Sequence, residues 1–446
     1  MPTQPPTQVP SGPATPSPTA TGGFEATIAR HLDALADIAT QQDGIRAAGT
    51  IGYDASADYV AAQLDALGLD VRREPVDFIF FDEEAPVALT IGSENWTGGE
   101  WLHANLYSGE GEVTSVVESV GIRNGRASET AGCDPSDWID FNGGNIALVL
   151  TGGCLARDKV RQAQEHDAEA LITMVPTWDD PNETLRPTLL DPTVIEIPAV
   201  VTGADPIDEL LAAAGAKDEI TLTVDVVESP ATDDNVFGEL AGETDGIVML
   251  GGHLDSALDG PGLNDNGSGV ATLLAIAEEL SAQPTPRRTV RFAFWAAEEF
   301  GTLGSADYVR NLPSQEVERI TGYLNLDMVG SPNAGYYVYD DDADPVSSDI
   351  SDSIVAALSD LGISSGRIPS GGSDHIAFWQ AGIPFGGVFS GIAPLTTDEA
   401  ERYGGIAGEP ADPCYHLGCD GRTNVDTATA TTFGQAIARV VEELAY

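Results

Sequence analysis

The stretch GIVMLGGHLDSALDGPGLNDNGSGVATLLAIAEEL, residues 246–280, decides which fold the sequence predicts. Its first part, residues 246–253, is an apolar run typical of a buried strand. Residues 268–281 have the length and the apolar spacing of a helix. A turn rich in glycine, asparagine and aspartate separates the two. A buried strand, a polar turn and a helix in this order indicate an α/β sheet whose functional groups lie past the strand ends.

Strand-like and helix-like runs continue to alternate on both sides of this stretch. Further strands are predicted at 289–297, 320–328 and 383–390, and further helices at 303–312, 348–361, 374–381 and 425–444. Toward the N-terminus we predict an amphipathic helix at 24–41, a second helix at 55–67 and an extended run at 69–81. This alternation predicts an α/β protein in which helices flank a mixed central sheet.

The length of the chain, 446 residues, exceeds what one hydrophobic core usually serves, so we expect two domains or one domain with an insertion. Between residues 84 and 222, short β-like runs separate two short helices, unlike the flanking sequence. The predicted organisation is a disordered linker at 1–23, a main domain formed by 24–83 and 223–446, and a small β-rich inserted domain at 84–222.

The charge of the chain excludes several classes of partner. There are 71 Asp and Glu residues against 20 Lys and Arg residues, which gives a formal net charge of −51. No nucleic-acid partner is expected and anionic membrane surfaces are disfavoured, because binding to either needs a basic surface. Such a density of acidic groups suits a saline medium that screens it, as in halophile-like proteins, although solubilising charge on an ordinary secreted protein is the alternative. The sequence contains no apolar run long enough to span a bilayer.

The N-terminal segment and the cysteines indicate export. Residues 2–23 are rich in Pro, Thr, Ser and Gly, which predicts a disordered linker and suggests that an export or anchoring signal once preceded it. The cysteines fall into two local pairs, Cys133 with Cys154 and Cys414 with Cys419, and such pairs fit disulfides in an oxidising compartment. We therefore expect a secreted or extracellular protein, with surface anchoring as a variant of this.

Residue types that bind metals follow the predicted strands or stand in nearby turns. They are His253, Asp255, Asp265, Glu298, Glu299, Asp327 and His416. Each of them alone is more often a structural residue, a turn former or a solvated charge than a ligand. Their joint occurrence at successive strand ends indicates a metal site. Two histidines with three carboxylates suit zinc. Two ions that share one carboxylate need five protein ligands and a bridging water. The Glu298–Glu299 doublet can supply one ligand and one general base.

Several runs of the sequence resemble one known family. They are GGHLDS (251–256), PGLNDNGSG (261–269), FWAAEEFGTLGS (294–305), NLDMVGSPN (325–333), GSDHIAFWQAGIP (372–384) and DPCYHLGCD (412–420), with DGIRAAGTIGYDASADYV near the N-terminus. In kind, order and spacing they resemble the co-catalytic two-zinc aminopeptidases, especially secreted bacterial leucyl-type aminopeptidases and aminopeptidase Y. Residues 84–222 resemble, more weakly, the protease-associated domain inserted in some of these enzymes. The resemblance implies the zinc-peptidase fold and hydrolysis of the N-terminal bond of peptides and proteins.

The resemblance also implies a metal-binding role for five of these residues. His253 and Asp327 match the ligands of one zinc ion, and Glu299 and His416 match those of the other. Asp265 matches the carboxylate that bridges the two ions. A cis peptide bond between Asp265 and Asn266 is a further implication.

Three other residues match catalytic roles of the family. Glu298 matches the general acid and base that activates the metal-bridging water. Tyr415 matches the hydroxyl that polarises the scissile carbonyl, held with His416 in a small disulfide loop. Asp255 matches the carboxylate that orients His253. His375 belongs to a matching run but is expected to be structural or to face the substrate, not to bind metal.

Other functions remain open at this point. A two-zinc carboxypeptidase would need a basic clamp, a glutaminyl cyclase would use one zinc without hydrolysis, and a binding protein would have lost ligands. We expect peptide or protein substrates with a free N-terminus and an apolar first residue, and a monomeric protein. The inserted domain would limit or guide substrate access, or else be an inert packing module. Calcium at the acidic run 340–344 is considered but not supported, because the run lacks the ligand spacing of an EF-hand.

Overall fold

The computed structural model describes residues 23–99, 102–123, 126–128, 130–175, 186–190, 195–203, 206–340, 344–369 and 372–446. The predicted linker, apart from Gly23, and residues 341–343 of the acidic run lie outside the described residues. Within the described part of the chain, no helix is both long and apolar enough to cross a membrane.

The helices and strands fall into three consecutive parts of the chain. The N-terminal part contains α1 (Phe24–Gln41), α2 (Ile51–Ala66), β1 (Asp70–Ile91) and β2 (Glu94–Thr97). The middle part contains β3 (Leu102–Ala104), β4 (Gly111–Ser119), β5 (Ile122–Arg123), β6 (Arg126–Ala127), β7 (Ile146–Leu150), α3 (Ala156–Glu165), β8 (Ala170–Met174), β9 (Ala199–Thr202) and α4 (Ile207–Ala216). The C-terminal part contains β10 (Glu219–Leu240), β11 (Thr244–His253), α5 (Gly267–Ser281), β12 (Arg288–Trp295), α6 (Leu303–Asn311), α7 (Ser314–Arg319), β13 (Ile320–Leu326), β14 (Tyr337–Asp340), α8 (Pro345–Asp360), β15 (Gly366–Pro369), α9 (His375–Gln380), β16 (Phe385–Phe389), α10 (Thr397–Tyr403) and α11 (Thr427–Ala445).

The main sheet has the strand order β15-β14-β16-β13-β11-β12-β10. Strand β11 runs parallel to β12 and β13, and β13 runs parallel to β16. Strand β10 is antiparallel to β12 at one side of this group, and β14 is antiparallel to β16 at the other. The predicted mixed central sheet with flanking helices is therefore confirmed. The parallel strands bring their carboxyl ends to the same edge of the sheet.

The helices bury the apolar faces that the sequence pattern predicts. In α1 the side chains of Ile28, Leu32 and Leu35 are buried, and this helix contacts α5 and α11. In α5 nearly every residue is buried because the helix lies between the sheet and other helices. The helix after β11 therefore begins at a fixed place, directly behind the turn that follows the strand.

The inserted part continues the same sheet. Beyond β10 the order runs β4-β7-β8-β9-β3, with β7 parallel to both β4 and β8. Strands β1 and β10 pair with each other from Asp70↔Glu239 to Ile91↔Ile220, so a long antiparallel ribbon connects the inserted part to the main sheet. The domain boundaries predicted at 83/84 and 222/223 fall inside these two strands. The chain thus enters and leaves the inserted part through one hydrogen-bonded ribbon.

Candidate metal centre

Three parallel strands deliver the candidate ligands to one edge of the sheet. Strand β11 ends at His253, β12 ends three residues before Glu298, and Asp327 follows β13 directly. The turn after β11 carries Asp265, and the loop between Cys414 and Cys419 brings His416 to the same place. The five residues predicted as ligands are therefore brought together, although His416 lies almost 90 positions beyond Asp327 in the sequence.

The distances divide these residues into two groups that share Asp265. The Nε2 atom of His253 lies 3.1 Å from Asp265 Oδ1 and 3.2 Å from Asp327 Oδ1. The Nε2 atom of His416 lies 3.1 Å from Asp265 Oδ2 and 3.1 Å from Glu299 Oε2. Each oxygen of the Asp265 carboxylate thus faces a different histidine. This is the arrangement expected of a carboxylate that bridges two ions.

The donor atoms fit zinc in their chemistry and spacing. Zinc binds imidazole nitrogen and carboxylate oxygen at about 2.0–2.2 Å, so two ligands of one tetrahedral ion lie roughly 3.3 Å apart. The separations of 3.1–3.2 Å between the ligand atoms are close to this value. The Oε1 atom of Glu299 is buried and has no hydrogen-bond partner among the described residues. An unpartnered carboxylate oxygen beside imidazole nitrogens is a site that a cation would satisfy.

The charges of the site perturb its titrating groups strongly. Burial alone would lower the pKa of His253, but the Asp327 carboxylate and the interactions with Asp255 and Asp265 raise that pKa well above its ordinary value. Burial would likewise lower the pKa of His416, but the Glu299 and Asp265 carboxylates raise it well above its ordinary value. Acidic groups therefore outnumber the two imidazoles, and this excess of negative charge favours bound cations.

Glu298 is held beside the ligands without belonging to either group. Burial raises the pKa of its carboxyl group well above the ordinary value, and His253 opposes this rise while Asp374 increases it. The Asp255 carboxylate accepts hydrogen bonds from the backbone N–H groups of Glu298 and Glu299, at 3.2 and 3.1 Å. Asp255 therefore fixes the backbone that carries both glutamates.

Asp255 also lies beside His253. The Nδ1 atom of His253 is 3.1 Å from the Asp255 carbonyl oxygen and 3.6 Å from its carboxylate Oδ1. The shorter contact is with the backbone, so the main chain at Asp255 contributes to the orientation of the imidazole.

The disulfide loop that carries His416 is closed as predicted. Cys414 is bonded to Cys419, and Cys133 is bonded to Cys154, so both predicted disulfides are confirmed. The ring of Tyr415 stacks on the ring of His416 with a centroid distance of 3.8 Å. The phenol of Tyr415 therefore belongs to the His416 side of the site.

The turn that carries Asp265 is held by residues that the sequence analysis did not single out. Asp420 accepts hydrogen bonds from the backbone N–H groups of Asn264 and Asp265 at 2.9 and 3.0 Å. The buried guanidinium of Arg46 donates to the carbonyl oxygens of Leu254, Pro261 and Gly262. The expected cis peptide bond between Asp265 and Asn266 is present.

The run at 373–375 lies behind the ligands. Ser373 Oγ donates to Asp327 Oδ2 at 2.7 Å, so it contacts a predicted ligand directly. The ring of His375 is buried and lies against Tyr339 and Phe385, with centroid distances of 4.3 and 5.2 Å. Neither ring nitrogen of His375 has a hydrogen-bond partner among the described residues.

The chain is similar to known proteins over nearly its whole length. Residues 235–441 match Peptidase family M28, and residues 113–210 match the PA domain. An aminopeptidase of Pseudomonas aeruginosa strain UCBPP-PA14 is 36% identical over 437 residues, which cover 94% of this chain and 80% of that protein.

Two solved structures share the fold. The aminopeptidase from Aneurinibacillus sp. strain AM-1 has a TM-score of 0.74 and 26% identity, with 94% of each chain covered. A structure of BSAP, a zinc aminopeptidase from Bacillus subtilis, has a TM-score of 0.70 and 25% identity and covers 95% of this chain and 94% of that chain.

Proposed function

The chain belongs to peptidase family M28 and is an aminopeptidase with an inserted PA domain, and from this premise we propose that two zinc ions serve its activity at the site around Asp265. The substrates are peptides and proteins with a free N-terminus and, by our proposal, an apolar first residue. The observation that carries the proposal is the Asp265 carboxylate, whose two oxygens each face a different histidine at 3.1 Å. His253 and Asp327 would complete one ion's ligands, and Glu299 and His416 those of the other. When bound, the ions would polarise the scissile carbonyl and lower the pKa of the attacking water.

Glu298 is the proposed general base and acid. Its carboxyl group adjoins the ligands but is not needed as one, and burial raises its pKa well above the ordinary value, the direction that makes a carboxylate a stronger base. In our proposal it takes a proton from the attacking water and passes that proton to the leaving amine. The Asp255 carboxylate supports this role by holding the Glu298 backbone N–H.

Tyr415 is the proposed donor to the carbonyl oxygen of the scissile bond. Burial raises the pKa of its phenol well above the ordinary value, and the nearby Asp265 and Glu299 carboxylates raise it further. The hydroxyl therefore stays protonated at neutral pH and can donate to an oxygen that becomes negative during the reaction. The stacking on His416 holds the ring at the side of the site where that oxygen would lie.

The charge of the site favours a substrate amine over a substrate carboxylate. The carboxylates of the ligand groups and of Glu298 attract an ammonium group in surroundings partly shielded from water. A C-terminal carboxylate would need a free guanidinium, but Arg46 is bonded to three backbone carbonyls. Arg186, the arginine that lines the cleft beside Glu299, faces Asp82 and Asp259. These contacts support an aminopeptidase over a carboxypeptidase, and the five grouped ligands support two ions over the single ion of a glutaminyl cyclase.

The place of action and the assembly state are also proposals. Both disulfides indicate an oxidising compartment, so we propose that the protein acts outside the cytoplasm. We propose a monomer whose acidic surface suits a saline medium, which salt titration of activity and sedimentation would test.

Paired peptides test the proposed activity. Leu-Gly-Gly with a free amine should lose leucine, while N-acetyl-Leu-Gly-Gly should be at least about tenfold worse in kcat/KM. A chelator should abolish the cleavage and added zinc should restore it. Equal cleavage of the two peptides, or release of glycine from the C-terminus first, would show that the enzyme does not read the N-terminus.

A further inference from the structure

One side of the site is closed by residues from the inserted part of the chain. Leu106 and Arg186 face Leu258 and Phe300 across a narrow cleft whose lining also includes the predicted ligands Glu299 and His416. We use the name insert wall for Leu106, Tyr107 and residues 186–190. The insert wall therefore stands beside Glu299 and His416, the predicted ligands of one proposed ion.

Ion pairs attach the insert wall to the main domain. The guanidinium of Arg186 lies 3.1 Å from Asp82 Oδ1 and 3.3 Å from Asp259 Oδ2, and Glu83 Oε1 is 3.8 Å away. Arg186 is only 8% exposed, whereas the Asp82 and Asp259 side chains are 39% and 33% exposed, so the ion pairs lie at the rim of the wall with the guanidinium on the buried side. Asp259 belongs to the loop between His253 and Asp265, and the ion pair thus connects the wall to the segment that carries two of the predicted ligands.

Apolar contacts also hold the insert wall against the main domain. Leu106 forms a β-bridge with Thr188, so the two halves of the wall support each other. Leu190 lies directly over Gly301, where any Cβ atom would meet Leu190 Cδ2 at 2.6 Å. The ring of Tyr107 packs near Phe300, which in turn packs on Phe78 with a centroid distance of 5.4 Å. The wall is therefore packed against the turn that follows Glu298 and Glu299.

The space that remains between the wall and the main domain is small. The cleft beside Glu299 and His416 has a cavity volume of about 20 Å³. A cavity that holds one water molecule has a volume of roughly 10–15 Å³, so the cleft is on the scale of a few water molecules. A large side chain could enter only if the wall moved or its side chains were shortened.

The part of the substrate that faces this cleft follows from the proposed roles of the site residues. Tyr415 stacks on His416, so the carbonyl oxygen of the scissile bond lies on the His416 side. The free amine of the first residue then lies toward Asp327, on the other side of Asp265. The leaving part of the substrate, which begins with its second residue, therefore points toward the insert wall.

We propose that the insert wall selects the second residue of the substrate and restricts it to small side chains, glycine and alanine before leucine and phenylalanine. This inference rests on the proposed function. Arg186 determines specificity because its ion pairs hold the wall against the main domain. Leu106 determines specificity because its side chain occupies the cleft. Extra methylenes forced into a closely packed space are disfavoured by at least about tenfold in binding.

Four peptides of the form Leu-Xaa-Gly test the proposal, with Xaa as Gly, Ala, Leu or Phe. The common C-terminal glycine keeps the substrate carboxylate at a constant distance from the site. The wild-type zinc enzyme should cleave Leu-Gly-Gly and Leu-Ala-Gly with a kcat/KM at least about tenfold above that for Leu-Phe-Gly. In Leu106→Ala and in Arg186→Ala this ratio should fall at least about threefold, mainly through faster cleavage of Leu-Phe-Gly. The ratio for Arg186→Lys should lie between the ratios for Arg186→Ala and for the wild type.

Lys217→Ala is the matched control, because Lys217 pairs with Glu118 in the inserted part but does not line the cleft. It should leave the ratio unchanged. Equal cleavage of all four peptides by the wild type would overturn the proposal and leave the aminopeptidase function standing. A uniform loss of activity on all four peptides in both wall variants would also overturn it, because that result indicates a structural role only. If no free-amine peptide is cleaved with zinc present, the proposed function itself fails.

Discussion

Replacing Arg46 with methionine should destabilise the protein by about 3 kcal/mol and loosen the turn that carries Asp265. The guanidinium is fully buried and donates to the carbonyl oxygens of Leu254, Pro261 and Gly262 at 2.7, 3.0 and 2.6 Å. These three carbonyls lie in the segment between His253 and Asp265. Arg46 thus joins the N-terminal part of the chain to the loop that connects two predicted ligands.

The magnitude follows from two opposing contributions. Each buried carbonyl that loses its donor costs about 1–3 kcal/mol, so three carbonyls cost about 6 kcal/mol. Burial also lowers the pKa of Arg46 to about 10, against the attraction of Asp255 and Asp420. This shift means that burying the charge of Arg46 destabilises the folded state by about 3 kcal/mol. Methionine carries no charge, so the variant regains this amount. The net loss in the free energy of unfolding is therefore about 3 kcal/mol, the difference of these estimates.

Urea denaturation of the metal-free proteins, followed by tryptophan fluorescence, measures this loss without any contribution from zinc binding. Zinc release to a chromogenic chelator then measures the effect on the site and should be at least about tenfold faster in the variant. Arg46→Lys is the control, because it retains the charge and one donor group and should lose less stability. An Arg46→Met protein within about 1 kcal/mol of the wild type, with unchanged zinc release, would refute this reasoning.

Three further predictions concern single carboxylates. Glu298→Gln should keep both zinc ions while kcat falls by at least about 10²-fold, and near-normal turnover in steady-state assays would contradict the role of Glu298. Asp265→Asn should lose both ions on dialysis, because both ligand groups share this carboxylate. His253→Ala should weaken the binding of mainly one ion. Metal analysis that finds two ions in Asp265→Asn would be incompatible with a bridge. Burial raises the pKa of Asp233 to about 7, although the Gly49 N–H opposes this, so the folded state prefers the protonated acid. The resulting stability is present near pH 4 and is lost as the pH rises toward 7, so Asp233→Asn should be more stable than the wild type at pH 8 and nearly equal to it at pH 4, as measured by urea denaturation; equal stability at both values would contradict the shift.

The central sheet and the positions of the site residues can be predicted because they depend on local patterns. The apolar runs that form β11, β12 and β13 are each followed directly by polar residues, and parallel strands bring such ends together. Helix α1 has the predicted bounds, 24–41, because its apolar stripe is regular. Helix α2 begins at Ile51, four residues before the predicted start, because Thr50 caps it and the preceding glycine turn hides that start.

The residues that the sequence analysis missed act through contacts between distant segments. Arg46 and the carbonyl of Pro261 are 215 positions apart, and no periodicity connects them. Asp420 stands in the matching run DPCYHLGCD, but its bonds to the Asp265 turn depend on how the disulfide loop folds back. The sequence does not predict short elements such as β14, β15 and α7, because four to six residues carry too little pattern.

The ribbon formed by β1 and β10 makes strand length a determinant of the cleft beside Glu299. Each residue pair in the ribbon adds roughly 3.3 Å of reach, so removing one pair from both strands would displace the inserted part by more than the width of a water molecule. Because side chains alternate between the two faces of a sheet, removing one residue from either strand would also turn the side chains that follow to the opposite face. The position of the inserted part can therefore change only in steps of one residue pair. The dimensions of the cleft depend on the number of residues in β1 and β10 as well as on the side chains that line it.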